Sequence, residues 1–354
     1  MNDRRNFMKG MAAAAVGMGL AGRLPPAFSQ VPRREVSIGG RRVTVVDIHG
    51  HCAVTDVEEV ILGTNVERRM SRNRILGPHR VDALNERGID IQVLSANQYW
   101  WYRADRELAR DIIRVQDDGI AAWVAEHSDR FVALTSVALQ HPELAAEQLE
   151  YAVNELNFRG ASVAGHVLGE SLTERRYDPF WAKCEELAAP VFMHPGGADN
   201  LIREGALEGA GDLGNIIGNP LETATFLTRM IFEGTLDRFP GLKLIGAHGG
   251  GYLPSYLGRT EVACEVRNNA NCVNVKRPSE YLRDQILVDS MVFSDEALRH
   301  LVAETGVSQV VYGTDIPLFW PDTLDLILDA THLTDAEKEA IVGGNLIKLL
   351  RLDA

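Results

Sequence analysis

Asp47-Ile48-His49-Gly50-His51 ends an apolar run, Val43-Thr44-Val45-Val46, and carries two imidazoles two residues apart. Side chains alternate along a β-strand, so residues two apart share a face. The spacing predicts Asp47, His49 and His51 on one face, with Ile48, Gly50 and Cys52 on the other. Two neutral imidazoles at the end of a strand can grip one divalent metal through their ring nitrogens. Three further apolar runs end in side chains of the same chemistry: His194 in PVFMHPGG, His248 in LIGAHGGG and Asp315 in VVYGTDIP. Alone, each has a plainer use, as a turn residue or a helix cap. Three imidazoles from this group together with the carboxylate suit Zn2+, with Mn2+ as the alternative.

Residues this far apart in the chain meet only if the strands that carry them end on one rim. Eight short apolar runs occur, at residues 43–51, 89–95, 131–139, 160–166, 190–194, 242–248, 285–290 and 309–315. Amphipathic helical patterns lie between them, among them residues 106–127, 144–156 and 178–188. Eight alternating β and α units predict an α/β fold of the (β/α)8 TIM-barrel type, whose strand C-termini converge on the functional face. An open doubly wound sheet is the other arrangement of such units, but no GxGxxG follows the first strand. Thr334-Asp335-Ala336-Glu337 reads as a capping box that opens a last helix, which would close the barrel bottom.

The chain of 354 residues carries a formal charge of −13, and about −16 once residues 1–29, with four basic side chains and one acidic, are set aside. That balance disfavours nucleic acid and anionic membrane as partners. Residues 1–29 read as a twin-arginine export signal: Arg4-Arg5-Asn6-Phe7-Met8-Lys9, a small-residue apolar stretch, and Ala27-Phe28-Ser29 before the cut. The expected organisation is therefore a signal at 1–29 and one barrel domain at 30–354, working in the periplasm. No stretch is apolar enough to span a membrane. Cys52, Cys184, Cys264 and Cys272 form no CxxC pair. A Cys264–Cys272 disulfide is open at this level, and the default for the others is a buried thiol.

The segments DIHGH, FMHPGG, LIGAHGGGYLPSYLGR and VVYGTDIP, in this order, resemble the amidohydrolase superfamily. They are closest in pattern to its amidohydrolase-2 branch, typified by α-amino-β-carboxymuconate-ε-semialdehyde decarboxylase and γ-resorcylate decarboxylase. The resemblance runs from Val43 to Leu352. It implies metal ligation by His49, His51, His194 and Asp315, with catalytic roles for His248 and Asp315. It implies an arginine contributed across a homodimer interface, Arg259, and a substrate-binding arginine in the first long loop, with Arg68, Arg69 and Arg72 as candidates. Trp100, flanked by Tyr99 and Trp101, could stack on a planar substrate, and His166 could reach it from the fourth strand. The branch's Trp after the His-Pro turn is replaced here by Gly196-Gly197-Ala198. The fourth strand, Gly160-Ala161-Ser162-Val163-Ala164-Gly165-His166, ends in neither the Lys nor the Glu that bridges two metals in binuclear relatives, so one metal is expected.

Two reactions use such a site. One is non-oxidative decarboxylation of a small unsaturated or aromatic carboxylic acid. The other is hydrolysis of a lactone, ester or amide, or hydration, by water whose pKa the metal lowers from about 15.7 to near 7. The resemblance favours the decarboxylase. A metal-stabilised binding protein without turnover is the third reading, disfavoured because His248 accompanies the ligand set.

Overall fold

The computed structural model describes residues 31–352. The twin-arginine segment lies outside the described residues. All eight expected strands form. They are β1 (Val46–His51), β2 (Ile91–Ser95), β3 (Phe131–Ala133, continued by Thr135–Ser136), β4 (Ala161–Val163), β5 (Val191–Met193), β6 (Leu244–Gly246), β7 (Ile286–Asp289) and β8 (Val310–Val311). Every pairing between neighbours is parallel.

The strands close into a barrel. β3 hands over from one neighbour to the next: Phe131–Ala133 pairs with β2, whereas Thr135–Ser136 pairs with β4. β8 returns to β1 through Ile48 N–H to Tyr312 O, 3.1 Å, and His51 N–H to Ile316 O, 2.8 Å. Closure leaves no open edge, and strands covered on both faces read as continuous apolar runs rather than alternating ones. The outer layer includes α1 (Pro78–Arg87), α2 (Arg106–Glu126), α3 (Pro142–Glu155), α4 (Asp178–Glu186), α5 (Asn219–Phe232), α6 (Leu257–Val266), α7 (Pro278–Leu282) and α8 (Asp295–Thr305). α2 shows why they dock. Asp105 caps its first turn by accepting from Leu108 N–H, and Ala109, Ile112, Ile113, Gln116 and Ile120 form one buried stripe.

Inside the barrel, Val46, Ile48, Val93, Leu134, Phe192, Ile245, Leu287 and Val311 form one apolar plug. Leu346 and Leu350 of the last helix join it from below, and the Thr334–Glu337 capping box that opens this helix is formed. Each such side chain contributes roughly 1.5–3 kcal/mol of burial. The plug fills the barrel floor and leaves chemistry to the opposite mouth.

Strict alternation fails at one place in β1. The register against β2 shifts between Asp47 and Gly50. Val46 and Ile48 belong to the inner plug, so Asp47, between them, does not share the face of His49 and His51. It accepts instead from Gln92 Nε2 (2.7 Å), Thr314 N–H (3.0 Å), Thr314 Oγ1 (2.6 Å) and His49 N–H (2.9 Å). The irregularity turns the two histidines inward and makes Asp47 a latch between β1, β2 and the end of β8. Cys264 and Cys272, left open by the sequence, are joined in a disulfide, and Cys52 and Cys184 are buried thiols. Among the described residues no helix is long and apolar enough to cross a membrane.

Candidate metal centre

His49, His51, His194, His248 and Asp315 meet at the C-terminal mouth of the barrel. One carboxylate touches all four rings. Asp315 Oδ1 lies 2.6 Å from His51 Nε2, 3.1 Å from His49 Nε2 and 3.9 Å from His194 Nε2, and Oδ2 lies 3.8 Å from His248 Nε2. The ring centroids of His49 are 5.0 Å from His194, 5.2 Å from His248 and 5.4 Å from His51. His49, His194, His248 and Asp315 each offer one donor atom, all within 4.8 Å of one another. His248 thus supplies a donor to this group, and His51 joins it through Asp315.

The arrangement fits a cation on its own physical terms. His49 Nε2 and His194 Nε2 are buried and make no hydrogen bond; His51 Nδ1 and His248 Nδ1 are likewise unpartnered. Buried polar atoms without partners are costly and call for an unseen partner. Burial pulls all three deep imidazoles toward neutrality: His51 falls to about 4 and His194 goes well below the usual range. At His49 burial is outweighed by the Asp315 and Asp289 carboxylates, which hold it up to about 10. Burial also opposes charge on Asp315, but His49 and His51 overcome it and keep that carboxyl well below its usual range. Two imidazoles held neutral, His51 and His194, with a third, His49, that can shed a proton beside the Asp315 anion, are a divalent-cation donor set.

Two of the site residues carry backbone strain. His248 (φ 56°) and Asp315 (φ 61°) are both left-handed, a conformation non-glycine residues hold only where surroundings enforce it. The turn after His248 is enforced by Gly251. Its φ is 63°, and a Cβ there would stand 2.3 Å from Pro220 O at the start of α5. Of the four site histidines, His248 is the one open to the mouth, its side chain 18% exposed against 0–1% for the others.

A cavity of about 300 Å3, lined by Asn65, Arg68, Trp100, Arg103, His166 and Gly196, among others, reaches the turn that follows His194. It gathers three side chains expected at the substrate: Arg68, Trp100 and His166. Trp100 Nε1 is buried without a partner. The flanking aromatics are held by hydrogen bonds: Tyr99 OH accepts from Ser71 N–H, and Trp101, which also lines the cavity, donates Nε1–H to Gln116. Arg72 is not brought to the cavity. It lines a separate hollow with Arg69, Glu58 and His79, where Glu58 accepts from Arg69 Nη1 and from the backbone N–H of the buried Met70, each at 2.7 Å. Arg259 sits exposed on α6, away from this cavity. Another hollow, about 480 Å3, opens at the other end of the barrel beside Pro190, Lys243 and Lys348, far from the chemistry.

Three residues near the site escape sequence reasoning. Asp289 closes β7 and takes His49 Nδ1 at 2.8 Å; an acid at the end of the seventh strand was the available signal. Arg74 donates to Gln98 Oε1 at 2.6 Å, and its charge lowers the His51 pKa. Glu222 of α5 accepts N–H groups from Gly165, Gly196 and Gly197 at 2.7–2.8 Å, tying the turn after His194 to the end of β4. Burial pushes its carboxyl up to about 7. Nothing local in the sequence marks Glu222, because its partners are backbone.

The chain is similar to proteins of known activity over most of its length. It is 34% identical over 281 residues to 2-amino-3-carboxymuconate-6-semialdehyde decarboxylase of Dictyostelium discoideum, covering 77% of this chain and 76% of that one. It is 29% identical to γ-resorcylate decarboxylase of Rhodococcus jostii, covering 85% and 95%. The solved structure of 5-carboxyvanillate decarboxylase of Novosphingobium aromaticivorans, complexed with manganese, has the same fold, with a TM-score of 0.78, 22% identity, and coverage of 88% and 96%. The sequence model of the Amidohydro_2 (amidohydrolase) family matches residues 46–352, and with the barrel and its histidine-rich mouth in place the chain belongs to that family.

Proposed function

We propose that this protein is a metal-dependent, non-oxidative decarboxylase of small unsaturated or aromatic carboxylic acids, a carboxy-lyase. The observation that carries this reading is the convergence of four imidazoles and Asp315 at the barrel mouth, with a cavity of about 300 Å3 at the turn that follows His194. The two curated relatives described above are both decarboxylases of such acids.

His49, His51, His194 and Asp315 would hold one divalent ion, with His248 within reach of it. A bound cation supplies a Lewis acid that anchors the oxygens of the substrate and takes up developing negative charge. The donor set suits zinc; manganese, present in the 5-carboxyvanillate enzyme, is the alternative. Trp100 offers a flat face to the unsaturated or aromatic body of the substrate, and Arg68 and His166 border the same space. When the carbon–carboxyl bond breaks, its electron pair stays on the substrate carbon and CO2 departs. That carbon then needs a proton. His248 is placed to deliver it, being open to the mouth and held by its left-handed backbone toward Asp315 Oδ2.

Two further parts of the reading concern assembly and place of work. A homodimer would cover the exposed apolar face of Tyr256, Val262, Val266, Val273 and Val275 around Arg259, and would deliver Arg259 to the neighbouring mouth. Twin-arginine export of residues 30–354 to the periplasm is supported by the Cys264–Cys272 disulfide, which suits an oxidising compartment.

The test is incubation of metal-replete protein with muconate-type acids, hydroxybenzoic acids and lactones, scoring CO2 against ring opening or hydration. CO2 from an unsaturated or aromatic acid supports the reading. Ring-opened or hydrated products without CO2 reject it.

A further inference from the structure

We propose that Asp289 is the positioning residue that fixes which nitrogen His49 presents to the cation, and that Gly313 is the gap that lets the two side chains meet. The inference rests on the metal-centre reading above. Asp289 is wholly buried at the end of β7. Its Oδ1 accepts from Gly249 N–H at 2.8 Å and from Met291 N–H at 3.1 Å. Its Oδ2 faces His49 Nδ1 at 2.8 Å. A carboxylate has nothing to donate, so Nδ1 must carry the proton at this contact. Nε2, turned toward Asp315, is then the nitrogen that gives up its proton and offers a lone pair when a metal binds. Because Gly249 directly follows His248, the same carboxylate also pins the backbone of the histidine assigned to proton delivery.

Gly313 makes the contact sterically feasible. Its backbone is not among the positive-φ glycines, so conformation does not demand a glycine here. Space does: a Cβ would lie 2.9 Å from Asp289 Cβ and 3.2 Å from His49 Cβ. An alanine would wedge the pair apart while leaving every polar group in place. The three residues come from three strand ends, β1, β7 and the segment leaving β8. The identity of the coordinating nitrogen is thus set by packing across the mouth rather than by β1 alone.

The substitution Asp289→Asn discriminates. Asn Oδ1 can still accept from Gly249 and Met291, but its Nδ2 then donates to His49 Nδ1 and drives the proton to Nε2. Turning the amide over restores the His49 contact only by setting Nδ2 against two backbone N–H groups. The experiment compares wild type, Asp289→Asn and Gly313→Ala by chelator competition for Zn2+ and Mn2+, with thermal unfolding of the metal-free forms alongside. A 1H–15N histidine spectrum of the zinc-loaded wild type completes it. The expected result is roughly 10–100-fold weaker metal binding in Asp289→Asn. Gly313→Ala should show a smaller loss, and both metal-free variants should still unfold cooperatively from a folded state. The spectrum should place the His49 proton on Nδ1. Wild-type affinity in a folded Asp289→Asn, or an Nε2-bound proton on His49 in the zinc-loaded wild type, overturns the proposal. If Asp289→Asn does not fold, Gly313→Ala and the wild-type spectrum decide it. A wild type that binds neither metal would instead overturn the metal-centre reading itself.

Discussion

Replacing Asp315 with Asn tests the electrostatics of the mouth with little change in shape. Asn tolerates the left-handed backbone held at this position, φ 61°. What disappears is one buried negative charge that contacts four imidazoles at 2.6, 3.1, 3.8 and 3.9 Å. Removing one partner from a buried, desolvated charge pair costs roughly 3–5 kcal/mol. At about 1.36 kcal/mol per decade, metal affinity should fall by roughly 10²–10⁴-fold. A second consequence concerns protons. In the metal-free site, burial is outweighed by Asp315 and Asp289 and His49 is held up to about 10. At pH 8 a cation must therefore displace about one proton from His49. Without Asp315 the main upward influence on His49 is gone, and proton release should fall clearly below one. Chelator competition gives the affinity, and calorimetry in two buffers of different ionisation enthalpy counts the protons. A variant that binds within tenfold of wild type, with unchanged proton release, would refute this account of the cluster.

Other outcomes are equally checkable. His248→Ala should lower kcat by roughly 10²–10⁴-fold, as expected for loss of a general acid, while metal analysis still finds bound ion, because His49, His51, His194 and Asp315 remain. Arg68→Ala should raise KM more than it lowers kcat, since Arg68 borders the substrate cavity away from the proton-delivering side chain; an unchanged KM would remove it from the substrate site. Gly251→Ala should destabilise the fold by roughly 1–3 kcal/mol or more in denaturant unfolding, because it adds left-handed strain to a 2.3 Å clash with Pro220 O. The buried Asp117, hydrogen-bonded to Thr135, is pushed up to about 8 by burial. Between the ordinary aspartate value of 3.8 and about 8 the folded state binds more protons than the unfolded chain, so this group costs stability as pH rises through that window. Asp117→Asn should therefore gain on wild type by a few kcal/mol, in order of magnitude, between pH 4 and pH 8; parallel pH–stability curves would contradict the assignment.

The barrel was legible because its strands are apolar runs ending in chemistry-bearing side chains. His49, His51, His194, His248 and Asp315 all fall at or just beyond strand ends, so the rule that barrel strands converge at one mouth assembled the site without coordinates. Alternation misplaced Asp47 because a register shift leaves no composition signature: Val46, Ile48 and His49 can all face inward only where the ladder slips. Arg68 and Arg72 looked equivalent in sequence, since a loop has no period to sort its side chains. Burial of Met70 and its N–H bond to Glu58 set one part of that loop away from the cavity. The roles of Asp289, marked only by its place at a strand end, and of Glu222 were hidden for a different reason. Their partners are a ring nitrogen and backbone N–H groups from distant strands, and such contacts exist only once the barrel closes.

The most direct test is a metal titration of CO2 release. Chelated protein should release no CO2 from an unsaturated or aromatic acid substrate. Activity should then rise in proportion to added Zn2+ or Mn2+ and level off at one equivalent per chain. Full CO2 release from exhaustively chelated protein, or a plateau reached only at two equivalents, would contradict a single cation held by His49, His51, His194 and Asp315.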